Sequence, residues 1–210
     1  MQPQTLTAET PDVVIGNHHH KYDSSNPLIR WLTQRFLRSL GEVLDDIERE
    51  QPTARVLEVG CGEGEIAARL HQRWPDVVGL DLPDAGLRSS WTQVTGPRFM
   101  HGDAARLPFD DGAFDVVVAV EVLEHLRDPA AGLAEMARVS RRHLVLSVPR
   151  EPIFRAGNLL TGRHVRALGN TPGHLNHWRA ANFVRFVSRA GAVRDTRLPL
   201  PWTIAWVRKH

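Results

Sequence analysis

A glycine-rich turn is the first place where the sequence could do chemistry: Gly60-Cys61-Gly62-Glu63-Gly64 follows a short apolar run. Glycines at a turn from a strand into a helix let the backbone pass close to a ligand and direct helix N-terminal amides toward it. Asp81 ends the next apolar run, where its carboxylate can accept from both ribose hydroxyls of an adenosine. Together they predict a site for an adenosine-containing cofactor, and they suit a dinucleotide as well as other compounds of this kind.

A second reactive group follows the valine-rich run Phe114–Val120. His125 is the first candidate for a general base, because imidazole titrates near neutral pH and can take a proton from a hydroxyl group. The alternative is a structural histidine that caps the next turn. If the segment forms a helical turn, Glu121, Glu124 and His125 share one face and could converge on a divalent cation. The alternative there is a set of ordinary loop residues.

Two more histidines, His174 and His177, lie three positions apart in a long segment, residues 150–178, that is too long for a plain connection. We predict that this segment is an insertion that binds the acceptor molecule, with the two histidines as acceptor contacts or a second base. A hydrogen-bonded loop is the alternative. Its arginines and apolar residues suit an anionic or amphiphilic acceptor, or peripheral contact with lipid headgroups.

The elements that must position these residues alternate between helix and strand. An amphipathic helix is predicted from Pro27 to about Glu50, and β-rich runs at 55–59, 77–81, near 99, 114–120 and 143–148. Helices are predicted between most of these runs, at 129–139, and near 182–190. The last two β-rich runs, 192–198 and 202–207, are joined by a link too short for a parallel crossover, which predicts antiparallel pairing. The pattern predicts an α/β fold with a doubly wound sheet that binds ligands at the carboxyl ends of its strands.

Three features separate the cofactor site from a dinucleotide site. The glycines have the spacing G-x-G-x-G with Glu58 two residues before them, Asp103 adds a carboxylate after the third strand, and the antiparallel pair ends the chain. With the stretches LEVGCGEG, GLDL, GDAARLPFDDGAFDVVVAVEVLEHL and LVLSVP, they resemble the class I S-adenosylmethionine-dependent methyltransferases, in the small-molecule branch of methyltransferase type 11. The resemblance implies a Rossmann-like, seven-stranded and mostly parallel sheet, binding of S-adenosylmethionine, and release of S-adenosylhomocysteine (SAH).

The resemblance also implies roles for single residues. Gly60 and Gly62 would line the methionine part of the cofactor, and Glu58 would orient the loop and reach the methionine amino group. Asp81 would hold the ribose. Asp103 and Ala104 would flank the adenine, and Glu121 would lie beside the cofactor after the fourth strand. Cys61 and Leu82 are further implied cofactor contacts. A plain tight turn is the alternative for the glycines, and helix capping is the alternative for the two aspartates.

The E-x-x-E-H pattern of Glu121, Glu124 and His125 further resembles the ubiquinone-pathway O-methyltransferases, where it is implied to hold magnesium. Residues 1–22 are predicted to be a flexible arm or a lid over the cofactor, with Lys21 and Tyr22 closing the methionine end. The alternative for Tyr22 is packing at the start of the first helix.

Composition excludes several classes of protein. The 210 residues, 42% hydrophobic and with a net charge of +2, are typical of one globular domain, and one cysteine excludes a disulfide framework. With no secretory pattern and no long apolar run, we expect a cytoplasmic protein. Nucleic acid is a disfavoured partner, since the charge is dispersed and no N/D-P-P-Y/F motif follows the fourth strand.

The leading hypothesis is O-methylation of a small molecule, such as a natural product or a quinone-like or sugar-linked lipid. N- or C-methylation, a cofactor-binding protein without catalysis, and a homodimer remain open alternatives. A nicotinamide oxidoreductase would need the longer G-x-G-x-x-G spacing and a Tyr-x-x-x-Lys pair, and the sequence has neither.

Overall fold

The computed structural model describes residues 24–153 and 173–209. The predicted arm with Tyr22, and residues 154–172 of the predicted insertion, lie outside the described residues. The strands are β1 (Arg55–Val59), β2 (Asp76–Asp81), β3 (Arg98–His101), β4 (Phe114–Val120), β5 (Ser140–Pro149), β6 (Ala192–Arg197) and β7 (Trp202–Arg208). The helices are α1 (Pro27–Glu50), α2 (Glu65–His71), α3 (Ala85–Trp91), α4 (Pro129–Val139) and α5 (Ala180–Val187), the last followed by a 3-10 turn (Ser188–Ala190).

The seven strands form one sheet in the order β3-β2-β1-β4-β5-β7-β6. The first five strands run parallel, whereas β7 pairs antiparallel with both β5 and β6. The predicted doubly wound sheet with an antiparallel C-terminal strand pair is therefore confirmed. Because β7 runs opposite to β5, its first residues lie at the edge where the parallel strands end, and Pro149 pairs with Trp202 there.

Both faces of the sheet are buried, which explains the nearly continuous valine run of β4. Val117 and Ala119 belong to the apolar cluster that also contains residues of α4 and α5. Val116, Val118 and Val120 belong to the opposite cluster, with residues of α1 and α2. The central strands are thus fixed from both sides, and the loops at their carboxyl ends have a rigid support.

Helix α1 begins where the sequence predicted. The side chain of Asn26 accepts hydrogen bonds from the amides of Leu28 and Ile29, and Pro27 occupies the first turn, where no amide donor is needed. A buried stripe that includes Phe36 and Ile47 packs on the sheet. Within the described ranges, no helix combines the length and the apolar character needed to cross a membrane.

The largest difference from a predicted strand is at the start of β5. β5 begins at Ser140 rather than His143, and Ser140 pairs with Phe114 across a register shift. The side chains of Arg141 and Arg142 are exposed, so the apolar pattern does not reveal that their backbone already belongs to the strand.

Candidate cofactor and acceptor site

The glycine turn after β1 is tied to the end of β2 by its backbone. The amides of Gly60 and Cys61 both donate to the carbonyl oxygen of Leu80, at 2.7 and 3.1 Å. Gly60 and Gly62 have φ values of 72° and 51°, in the left-handed region that favours glycine. A Cβ on Gly60 would overlap the Cγ2 methyl of Val122, whereas a Cβ on Gly62 would have no described atom within 4 Å. Gly60 is therefore needed for packing, and Gly62 faces the open side of the turn.

Asp81 connects the turn to the acidic end of β2. Gly62 N–H donates to Asp81 Oδ2 at 2.7 Å, and Leu82 N–H donates to Oδ1 at 2.7 Å. Each carboxylate oxygen offers two acceptor positions, so these bonds are compatible with acceptance from a ligand hydroxyl. The geometry brings the predicted ribose carboxylate to the predicted glycine turn.

Glu58 and Cys61 form the buried side of this turn, with 1% and 5% of their surfaces exposed. Burial, together with the charges of Glu58 and Asp81, raises the pKa of the Cys61 thiol far above its usual range. Cys61 therefore stays a neutral thiol and does not act as a nucleophile.

Asp103 and Ala104 lie in the turn after β3, beside the end of β2. Gly102 N–H donates to the backbone oxygen of Asp81 at 2.8 Å, which brings the two loops together. Asp103 Oδ1 accepts from the amide of Ala105 at 2.8 Å, while Ala104 is buried. Asp103 thus stabilises its own turn at the edge where an adenine contact is expected, and no described helix begins there for it to cap.

Glu121 has an unusual backbone conformation at the end of β4. Its φ is 56°, the one positive φ at a non-glycine residue in the described chain. Its amide donates to the carbonyl oxygen of Ser147 at 3.0 Å, and its carboxylate Oε1 accepts from the indole Nε1–H of Trp202. Such backbone strain is maintained by surrounding contacts and occurs preferentially at functional sites.

The loop after β4 and the segment that precedes α5 are joined by hydrogen bonds. The amides of Leu175 and Asn176 both donate to the carbonyl oxygen of Glu124, at 2.8 and 3.0 Å. The side-chain amide of Asn176 donates to the carbonyl oxygen of Leu126 at 2.6 Å. These hydrogen bonds hold residues 173–176 against the turn that carries Glu124 and His125.

The hydrogen bonds between these two segments bring Glu124, His125 and His174 together. One atom of each side chain that could bind a metal ion lies within 4.8 Å of the other two. The centroids of the two imidazole rings are 5.0 Å apart, and the rings are nearly perpendicular. Nδ1 of His125 lies 3.0 Å from the carbonyl oxygen of Gly173, which can only accept, so Nδ1 carries the hydrogen. The lone pair of the neutral ring is therefore on Nε2. We call these three residues the His125 group.

The structure brings together only part of the predicted metal set. The His125 group contains Glu124 and His125 of that set, with His174 in place of Glu121, whose carboxylate is bonded to Trp202. The amide of His125 donates to the oxygen of Val122 at 3.0 Å, so the segment forms a tight turn. His177 lies elsewhere, with Nδ1 3.9 Å from Glu151 Oε1 and its side chain 38% exposed.

Two tryptophans support this site although nothing in their spacing pointed to them. Trp91 of α3 donates its indole N–H to the carbonyl oxygen of Gly62 at 2.8 Å and stacks on Phe99. Trp202 donates to Glu121 and packs on Phe36 of α1, with ring centroids 5.2 Å apart. Both indoles orient loops at the carboxyl edge of the sheet.

Comparison with known proteins agrees with this geometry. A family model described as "Methyltransferase domain" matches residues 57–146. A demethylmenaquinone methyltransferase from Roseiflexus castenholzii is 35% identical over 132 residues, covering 56% of this chain and 56% of that protein. A second, from Roseiflexus sp. RS-1, is 33% identical over 186 residues, covering 82% of this chain and 77% of that protein.

The fold also matches a solved structure. Magnesium protoporphyrin IX methyltransferase from Synechocystis PCC 6803 with bound SAH superposes with a TM-score of 0.65 at 20% identity, covering 90% of this chain and 91% of that one. This likeness supports the same overall fold for this chain. The chain belongs to the class I S-adenosylmethionine-dependent methyltransferase family.

Proposed function

We propose that this chain transfers a methyl group from S-adenosylmethionine to a hydroxyl oxygen of a small-molecule acceptor. The observation that carries the proposal is the orientation of His125. Because its Nδ1 donates to the oxygen of Gly173 at 3.0 Å, the ring is fixed in the tautomer whose basic nitrogen is Nε2, beside Glu124 and His174. An imidazole held in this way is a suitable base for a hydroxyl group near neutral pH.

In the proposed step, Nε2 of His125 takes the hydroxyl proton as the acceptor oxygen attacks. When bound, S-adenosylmethionine supplies an activated methyl group, whose transfer breaks its bond to sulfur and leaves SAH. Glu124 lies beside this ring, and as a carboxylate it would stabilise the imidazolium that forms. Since little further activation is needed, the main task of the chain is to hold the acceptor in line.

For the cofactor, we propose the contacts that the family resemblance implies. The hydrogen bond between Gly62 and Asp81 supports them, because it brings the ribose carboxylate beside the glycine turn. The bond between Gly102 and Asp81 supports adenine contacts from Asp103 and Ala104 in the same way. The contact proposed for Glu121 is supported by its position at the end of β4, where its carboxylate accepts from the indole of Trp202.

Magnesium does not fit the residues that the structure brings together. Mg²⁺ prefers oxygen ligands in octahedral geometry, whereas the His125 group offers two imidazoles and one carboxylate. Glu121, which would add a second carboxylate, is not in the group. We therefore derive no step through magnesium and assign His125 to proton transfer.

The relatives favour an aromatic, quinone-like acceptor. Both relatives described above are demethylmenaquinone methyltransferases by name, and one of these aligns with 82% of this chain. A phenol that has lost its proton is nucleophilic at oxygen and at neighbouring ring carbons. The same base would therefore also serve methylation at carbon, which is the second candidate reaction.

Calorimetric titration tests the cofactor first. We expect SAH to bind the wild-type protein, NAD⁺ not to bind, and Asp81→Ala to weaken SAH binding at least about tenfold, because a hydroxyl–carboxylate bond is charge-assisted. Binding of NAD⁺ without any response to SAH would refute the cofactor assignment.

Turnover then tests the base. SAH production is measured with a panel of catechols and hydroquinones, and the products are analysed by mass spectrometry and NMR. We expect His125→Gln to lose about 10²- to 10⁴-fold in kcat while keeping its SAH affinity. His71→Gln, at the end of α2 and away from the site, is the matched control. Full activity in His125→Gln would refute the base, and ring-methylated products would establish the second candidate.

A further inference from the structure

Three buried hydrogen-bonding atoms at the carboxyl edge of the sheet have no partner in residues 24–153 and 173–209. They are Nε of Arg150, Nε1 of Trp178 and Oγ1 of Thr203. Buried polar groups in native proteins almost always have a hydrogen-bond partner, so a buried polar atom without one beside a candidate site requires an explanation. Two of these atoms can only donate, and the hydroxyl can donate as well.

The three residues are neighbours on one face of the sheet. Arg150 follows the last residue of β5 and forms a parallel bridge with Trp178, which puts their side chains side by side. Thr203 of β7 pairs with Val148, two positions before Arg150 and therefore on the same face. This is the face of the cluster that contains Val148 and Phe183, against which Trp178 packs.

The same face carries the His125 group. Val122 and Leu123, which lead into Glu124 and His125, belong to that same apolar cluster. Residues 173–178 connect the segment that is hydrogen-bonded to Glu124, near His174, directly to Trp178. The orphan donors and the proposed base therefore border one region at the carboxyl edge, on the side opposite α1 and α2.

The charge of Arg150 indicates what the donors bind. Nε of its guanidinium is fully buried and has no hydrogen-bond partner, and Arg150 forms no ion pair with another residue of the described ranges. The neighbouring carboxylate of Glu151 faces His177 instead. A guanidinium presents its donors in a planar fork that matches a carboxylate or a phosphate.

We propose that Arg150, Trp178 and Thr203 form a subsite for an anionic oxygen group of the methyl acceptor. The inference rests on the proposed function and narrows its substrate class to acceptors that carry a carboxylate or phosphate besides the hydroxyl. Arg150 supplies a positive charge, and the Trp178 indole and the Thr203 hydroxyl donate hydrogen bonds to the anionic group. His125 takes the proton from the hydroxyl group of the same acceptor molecule.

The test uses protein labelled with ¹⁵N-tryptophan, in which the Trp178→Phe variant identifies the Trp178 indole signal. Protein saturated with SAH is titrated with 3,4-dihydroxybenzoate, with catechol, which lacks the carboxylate, and with inorganic phosphate. We expect 3,4-dihydroxybenzoate to shift the Trp178 signal and to bind about 10- to 100-fold more tightly than catechol. Arg150→Gln should remove this preference, and Arg150→Lys should restore part of it.

Arg142→Gln is the matched control, since Arg142 is an exposed arginine of β5 that bonds to Gln51. It should keep the full preference. Equal binding of the two aromatic ligands by the wild type, or an undiminished preference in Arg150→Gln, would overturn the proposal. A Trp178 shift on adding SAH alone would assign the donors to the cofactor and overturn it too. A response to phosphate but not to 3,4-dihydroxybenzoate would exclude recognition of a carboxylate and support a subsite for a phosphate group. Failure of SAH itself to bind would refute the proposed function instead.

Discussion

Replacing Gly60 and Gly62 separately with alanine should separate folding from cofactor binding. Both have positive φ, so alanine costs about 1–2 kcal/mol of backbone strain at either position. At Gly60 the new methyl group would also overlap Val122 Cγ2, and overpacking of this kind typically costs about 1–3 kcal/mol. We therefore expect Gly60→Ala to lower the free energy of unfolding by about 2–5 kcal/mol and Gly62→Ala by about 1–2 kcal/mol.

We expect SAH affinity to fall more in Gly62→Ala than in Gly60→Ala, which is the reverse of the order expected for stability. The Gly62 methyl meets no described atom, but it projects from the turn whose amide bonds to Asp81, so SAH affinity should fall at least about tenfold in a protein that remains folded. Urea denaturation measures the stability and calorimetry the affinity. Val122→Ala in the Gly60→Ala background should recover the packing part of the loss.

Three outcomes would refute this reasoning. The first is an equal loss of stability in the two glycine variants, and the second is wild-type SAH affinity in Gly62→Ala. The third is strict additivity of Gly60→Ala and Val122→Ala, because residues that clash must couple.

Three further predictions concern pH, lipid and metal. Burial lowers the pKa of His143, whose Nδ1 accepts from the Trp206 indole at 3.1 Å, so the unfolded chain binds this proton more tightly. Stability should therefore fall as pH drops below about 6.5, and His143→Gln should reduce that slope in thermal melts; an unchanged slope would contradict the assignment. The exposed first turns of α1 carry Leu28 and Trp31 with arginines and no acidic residue, so vesicles with anionic lipid should bind the protein in a salt-sensitive manner and Trp31→Glu should weaken this in co-sedimentation. Equal binding to neutral vesicles would argue against it. Added Mg²⁺ should leave both Tm and turnover unchanged, and a clear rise in either would restore magnesium to the site.

The order of the elements was predictable because local pattern decides it. β4 and α4 have the predicted bounds, since a run of valines and a proline after a capping aspartate are strong local signals. The antiparallel last pair followed from loop length alone. The start of β5 was missed because the arginines at 141 and 142 are exposed, and backbone pairing does not depend on their side chains.

The site was predictable where the sheet itself dictates proximity. Gly62 and Asp81 meet because β1 and β2 are parallel neighbours that end at one edge. His125 and Gly173 are 48 positions apart, and they meet through loop hydrogen bonds that no periodicity encodes. Trp202 resembles any core residue of a strand, so its bond to Glu121 required the three-dimensional arrangement.

The position of β7 has a consequence for how the chain is assembled during synthesis. β6 is made before β7, yet in the finished sheet its hydrogen-bonding neighbour is β7, which inserts between β5 and β6. β6 therefore waits without a partner until residues 202–208 are available. A slip of one residue at that moment would move Trp202, Ile204 and Trp206 to the wrong face. Pairing of β7 therefore completes this sheet after its other strands have been made, and one strand sets the register of both neighbours and supplies the indole that bonds to Glu121.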